Sequence, residues 1–297
     1  MRVAVLETRN YIVGEANAPS GLYIEEEGGW RHAGWTNLRC TALAQTPDAL
    51  FLGAGNGVLR SRDGGASWRM TTDWRVTEVL DLVASPTDPN ELVAATAYGL
   101  VRSRDAGDTW EPVPPPGRQP DATFTSAIVL DAEQTGRMLI ATAAGLFVSD
   151  DDALSWRAIG PRLDTRALVQ SAADPSRWLA GTAGHGALLS SDGGETWEPV
   201  GDASATFYAV AFDPHDPDSL AVGGYQMGVC LSRDGGSSWR TASPAHDAVS
   251  VYTLAFDPRQ PGRLWIGTMG GGLFVDDGDG WQDAGLPETT VTDIRFP

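Results

Sequence analysis

A tryptophan-terminated octapeptide recurs along the chain, and its period constrains the fold more than any other feature. It reads SRDGGASW at 61–68, SRDAGDTW at 103–110, SDDDALSW at 149–156, SSDGGETW at 190–197 and SRDGGSSW at 232–239. Two shortened copies flank these five: IEEEGGW, ending at Trp30, and VDDGDGW, ending at Trp281. The closing tryptophans, Trp30, Trp68, Trp110, Trp156, Trp197, Trp239 and Trp281, recur every 38 to 46 residues, so seven copies use up all 297 residues. Such a period marks units that cannot bury their own apolar faces and must stack on their neighbours.

Each copy has the same internal order. An alternating apolar stretch comes first, as in YAVAFDP (208–214) and YTLAFDP (252–258). Val210 and Phe212 face one way and Ala209 and Ala211 the other, the period of a strand. An Asp-Pro turn follows at Asp88-Pro89, Asp174-Pro175, Asp213-Pro214 and Asp257-Pro258. There Asp bonds downstream backbone and Pro presets φ. A second strand (ELVAATA, RMLIATA, RWLAGTA, RLWIGTM), a glycine turn and a third strand (GLVRS, GLFVS) come next. The tryptophan opens a fourth strand, as in TWEPV. Four short antiparallel strands per copy predict a propeller blade, and seven copies predict an all-β, seven-bladed β-propeller that is one domain over 1–297. The octapeptide becomes the hairpin between the third and fourth strands. RVAVLET (2–8) running into YIVGEA predicts a local hairpin that completes blade 1 from the N-terminus. VTDIRFP (291–297) predicts one more strand, docked beside blade 1 to close the seam.

The pattern S-x-D-x-G-x-[ST]-W resembles the Asp-box, or BNR repeat. The whole chain resembles the sialidase-like superfamily of Asp-box propellers, nearest to photosystem II assembly factor, xyloglucanase-type and sortilin-type repeats. That resemblance implies a motif on the outer rim, away from the substrate face, and it says little about function because the superfamily's functions diverge. The motif's own chemistry agrees with a scaffold. Asp63, Asp105, Asp151, Asp192 and Asp234 can accept successive backbone N–H groups in a tight turn. The glycines supply positive φ, and the hydroxyls of Ser67, Thr109, Ser155, Thr196 and Ser238 can tie the far side. Trp68, Trp110, Trp156, Trp197 and Trp239 are expected to drop their rings between sheets. Five full copies also argue against catalysis, since an active site is one constellation. The acidic copies SDDDALSW and VDDGDGW lack a full calcium-ligand order and read as degenerate boxes.

Charge narrows the partners. A net charge of −18 repels nucleic acid and anionic membranes. All basic residues are Arg, as the chain contains no Lys. Cys40 and Cys230 lie far apart in no metal-like spacing and read as two buried thiols rather than a disulfide framework. GAGNG (53–57) lacks the third glycine and the helix of a dinucleotide loop, so it reads as a turn. No stretch approaches a membrane span. The segment MRVAVLETRNYIVGEA lacks the order of a signal peptide, so the expected location is the cytoplasm. No cofactor and no metal are expected, and the expected state is a monomer.

Any specific chemistry must therefore come from the non-repeated turns around the channel. Turns between second and third strands offer Asn56, Tyr98, His185 and Gln226. Connections between blades offer Arg39, Asp73, Trp74, Arg75, Arg118, Asp164, Arg166, His246 and Asp247. The flanking glycines would let the His185 ring project into the channel. The arginines do not make a sialidase: its Arg-Ile-Pro motif is absent, IRFP does not match it in order or place, and no Tyr is marked by a nearby Glu in the right loop. The expected function is a rigid, non-catalytic scaffold that binds a protein partner or small ligand through Arg75, Trp74, Tyr98, His185, Gln226 and His246. The alternative is a glycoside hydrolase with carboxylates in the channel, Asp73 and Asp164 being the first candidates.

Overall fold

The computed structural model describes residues 1–297 except 9–10, 13–14, 17–19, 35–38, 118–119, 245–248 and 297, with backbone alone for 5–8, 11–12 and 15–16. Seven four-stranded antiparallel sheets form the blades of a ring. Blade 3 shows the plan: Val79–Ala84 innermost, then Leu92–Thr96, Gly99–Ser103 and Glu111–Val113 at the rim. One helical turn, Pro120–Thr123, interrupts the β pattern. Among the described residues no helix is long and apolar enough to cross a membrane.

Blade 1 departs from the expected pairing. Its innermost strand is Thr289–Arg295, followed outward by Arg2–Thr8, Gly21–Glu26 and Gly29–His32. The chain therefore closes by a C-terminal strand inside an N-terminal one, with Arg2 opposite Arg295 and Ala4 opposite Asp293. The segment read as the second strand of a local hairpin forms a separate two-stranded piece, Tyr11–Ile12 with Glu15–Ala16. The reason is burial: Thr289 to Ile294 is a buried run, and only the channel side of Arg2–Thr8 offers it a paired edge.

Every inner strand carries a bulge, at its second residue in blades 2 to 7 and at its fourth in blade 1. The register slips between Cys40 and Ala42, Val79 and Asp81, Thr125 and Ala127, Thr165 and Ala167, Phe207 and Ala209, and Val251 and Thr253. In blade 1 Thr292 is the extra residue, since Val291 and Asp293 pair with the adjacent Val5 and Ala4. A bulge bends its strand and re-aims one side chain.

Seven hydrophobic clusters fill the seven gaps between blades, and each contains one of the repeat tryptophans. The rings are more tethered than a purely apolar role needs. Nε1 of Trp30, Trp68 and Trp156 donates to carbonyls of the preceding blade, Ala284 at 2.8 Å, Ala33 at 2.8 Å and Pro114 at 2.7 Å. Trp110 donates to Thr71 Oγ1 at 3.2 Å. Trp197 and Trp239 instead donate to Gly194 and Gly236 of their own hairpins. Of the five in full copies, only Trp197 is buried; the others are half-buried.

The five full hairpins repeat one hydrogen-bond set. In the first copy Ser67 N–H reaches Asp63 Oδ1 at 2.8 Å and Ser67 Oγ reaches Oδ2 at 2.5 Å. The leading Ser61 donates to Asp63 Oδ1 at 2.8 Å and accepts Gly65 N–H at 2.8 Å. The same bonds recur around Asp105, Asp151, Asp192 and Asp234. With the hydroxyl at the seventh position as the largest cause, these bonds hold the pKa of Asp63, Asp105 and Asp192 at about 2 and lower that of Asp151 and Asp234. Arginines, three of them buried and Arg177 half-buried, clamp the hairpins from the preceding blade. Arg60 donates to Ala106 O and Asp108, Arg102 to Asp152, Arg137 to Gly193 O and Arg177 to Gly235 O.

Candidate binding face and channel

The turn between second and third strands lies at the end of the ring where the inner strands begin, because Val79 pairs with Thr96 and Phe207 with Gly224. A buried threonine locks four of these turns. Oγ1 of Thr96, Thr142, Thr182 and Thr268 donates to the carbonyls of Gly99, Gly145, Gly186 and Gly272 at 2.7–2.8 Å. Thr96 Oγ1 also accepts Tyr98 N–H at 3.0 Å. Tyr98 is thus displayed from a pinned turn with 66% of its surface exposed. Its hydroxyl donates to Glu78 at 3.1 Å, and that carboxylate raises the phenol's pKa. Glu78 belongs to the connection that also carries Trp74, which is 80% exposed. The Arg75 guanidinium lies 5.3 Å from the Trp74 ring, and Asp73 pairs with Arg75 at 3.2 Å and accepts its N–H at 2.9 Å. Tyr225, 52% exposed, adds a third aromatic from the corresponding turn of blade 6. Beside it Gln226 adopts φ 55° and donates its N–H to Ser250 Oγ.

Other expected positions differ. The His185 ring does not project into the channel; its Nδ1 lies 3.0 Å from Ala183 O, back against its own turn. His246, Asp247 and Arg118 lie outside the described residues. Arg166 is not a loop residue but the bulge of the inner strand Thr165–Gln170.

That bulge leads to the channel, a cavity of about 750 Å³ along the ring axis. The bulged residues form a girdle around it. Ser126, Arg166, Tyr208 and Tyr252 occupy blades 4 to 7, and Thr292, Thr41 and Leu80 complete the circle from blades 1 to 3. The two tyrosine rings stack at 6.3 Å with 22° between planes. Arg166 pairs with Asp164 and lies 5.7 Å from the Phe124 ring. Among the described residues Ser126 Oγ is buried with no hydrogen-bond partner. No repeat pattern marks these seven residues, because each blade carries a different one; the only sequence signal is their common place in the repeat.

The channel charges are also not the expected ones. Neither Asp73 nor Asp164 lines the cavity; Asp81, Asp293 and Arg295 do, with Arg166. Asp81 accepts Leu82 N–H at 2.8 Å and, across the gap, Ile128 N–H of blade 4 at 3.0 Å. Asp293 accepts Leu43 N–H of blade 2 at 2.8 Å and Arg295 Nε at 3.2 Å. Each carboxylate thus bridges its inner strand to the next. Burial pushes the Asp81 pKa up despite the Arg295 charge, while the Asp293 charge pushes that of Arg295 up. Among the described residues no group of three or more His, Cys, Asp and Glu could hold a metal ion.

No protein-family model and no curated protein matches the sequence. By structure the chain is similar to the GH74 xyloglucanase from Xanthomonas campestris, with a TM-score of 0.72 and 22% identity over 91% of this chain and 50% of that one. It is similar to YCF48 bound to D1 peptide, with a TM-score of 0.62 and 20% identity over 83% and 81%. It is also similar to Chaetomium thermophilum Sqt1 bound to the N-terminus of ribosomal protein L10, with a TM-score of 0.65 and 15% identity over 94% and 86%. The chain spans 38 to 53% of the length of three GH74 structures. Identities this low speak for the seven-bladed propeller fold alone.

Proposed function

We propose that this protein is a non-catalytic propeller of the Asp-box type that holds a polypeptide segment of a partner across its channel face. The observation that carries this reading is the pair Trp74 and Tyr98, large aromatics exposed on short connections that Asp73, Glu78 and Thr96 tie down. Rigid, exposed Trp, Tyr and Arg side chains are the usual energetic anchors of an interface. Holding them in place before binding lowers the entropy lost on association. The two propellers in complex with peptides support a peptide as ligand class, YCF48 with D1 peptide and Sqt1 with the L10 N-terminus.

The test is quantitative affinity capture with wild-type protein, Trp74→Ala/Tyr98→Ala and the rim variant Leu154→Ala. Leu154 is also exposed, but on an Asp-box hairpin. The expected result is a partner whose affinity falls at least about tenfold with the double variant and is unchanged with Leu154→Ala. Equal retention by all three would sink the reading.

The hydrolytic reading retains one supporting observation, the presence of Asp81 and Asp293 in one cavity with the Asp81 pKa raised. Against it, both carboxylates already accept backbone N–H groups from neighbouring blades. Turnover of xyloglucan oligosaccharides abolished by Asp81→Asn would revive it.

A further inference from the structure

Arg295 breaks the pattern of its level in the channel. Counted from the bulge, the same position of the other inner strands is Ala44, Val83, Val129, Val169, Ala211 and Ala255. One guanidinium therefore stands in a ring of small apolar side chains. Its side chain lines the cavity and keeps 47% of its surface accessible. Asp293 engages Nε at 3.2 Å and is itself fixed by Leu43 N–H, so the guanidinium is oriented from behind. Among the described residues Nη1 and Nη2 make no hydrogen bond. Two parallel donors in a fixed fork, facing a space partly shielded from water, match the two oxygens of a carboxylate.

The surroundings define the rest of the ligand. Val169, Ala211 and Ala255 line the cavity at this level and Phe212, Phe256 and Phe296 line it one residue further on. The volume of about 750 Å³ is that of a small-molecule site, apolar with a few placed polar groups. Asp81 also lines the cavity, and its charge, with that of Asp293, acts on the Arg295 guanidinium.

We propose that the channel binds a small carboxylate with an apolar body, its oxygens on the Arg295 fork and its body against the alanine, valine and phenylalanine wall. This site is separate from the aromatic anchors and would survive failure of the peptide reading. Isothermal titration with benzoate and with inorganic phosphate tests it, on wild type, Arg295→Lys and Val169→Phe. Arg295→Lys keeps the charge but loses the fork; Val169→Phe fills the cavity without touching Arg295 and stands in should the ring-closing strand not tolerate the first. Benzoate is expected to bind wild type with a dissociation constant of about 1 mM or tighter and to weaken at least about tenfold in each variant that folds. No benzoate binding to wild type, benzoate binding unchanged in a folded variant, or binding of phosphate but not benzoate would each overturn the assignment.

Discussion

A single carboxylate in each full repeat does four things at once. Asp105 accepts the Thr109 N–H and hydroxyl and the Ser103 hydroxyl, and its position fixes where the turn reverses. These bonds favour the charged form, so its pKa falls from 3.8 to about 2 on folding. A lowered folded pKa stabilises the native state above the unfolded value and loses that effect as pH falls through the folded one. Thermal melts should therefore show stability falling between about pH 4 and about pH 2, with the fall shallower in Asp105→Asn. An Asn variant with the wild-type pH profile would show that the turn bonds do not couple to protonation. The aspartate, the hydroxyl four places later in the loop and the tryptophan were legible in the sequence because they repeat. The leading serine was visible but unread: its role as both donor and acceptor depends on a 2.8 Å approach to Gly65 N–H and its counterparts, which only the folded turn reveals.

At the scale of the element, the blade is held to its neighbour by one tryptophan and, in four gaps, one arginine. Trp197 is buried among Leu139, Trp178 and Leu188, and its ring also closes against Gly160. Trp197→Ala should cost about 3–5 kcal/mol, measured by denaturant unfolding, and Trp156→Ala, half-buried, should cost less. Equal costs would mean that the hairpin, not the ring's burial, sets the energy. The strand order inside a blade was legible from period-two alternation and turn residues. The bulge was not, because one extra residue leaves the alternation intact on either side of it; it changes only where the second side chain points. That is why Arg166 read as a loop residue and why the girdle went unrecognised. The pairing in blade 1 failed for a different reason. YIVGEA has strand propensity, but propensity does not choose a partner, and the buried C-terminal strand outcompetes it for the inner edge.

The whole molecule divides its labour by position. Its repeated residues sit in rim hairpins and inter-blade clusters, and its unrepeated ones sit on the turns and inner strands around the channel. The ring closes through Thr289–Arg295, so the strand that seals the fold also brings Asp293 and Arg295 into the cavity. Seven-fold closure was legible from the count of tryptophans alone. The channel chemistry was not, because it arises from residues about 40 positions apart that meet only when the ring shuts. The division predicts where a partner sits. A photo-crosslinking amino acid placed at position 98 on the channel face, and separately at position 154 on the rim, tests it most directly. Adducts from position 98 should map to one short polypeptide segment, with none from position 154. Adducts from position 154 with none from position 98 would contradict it.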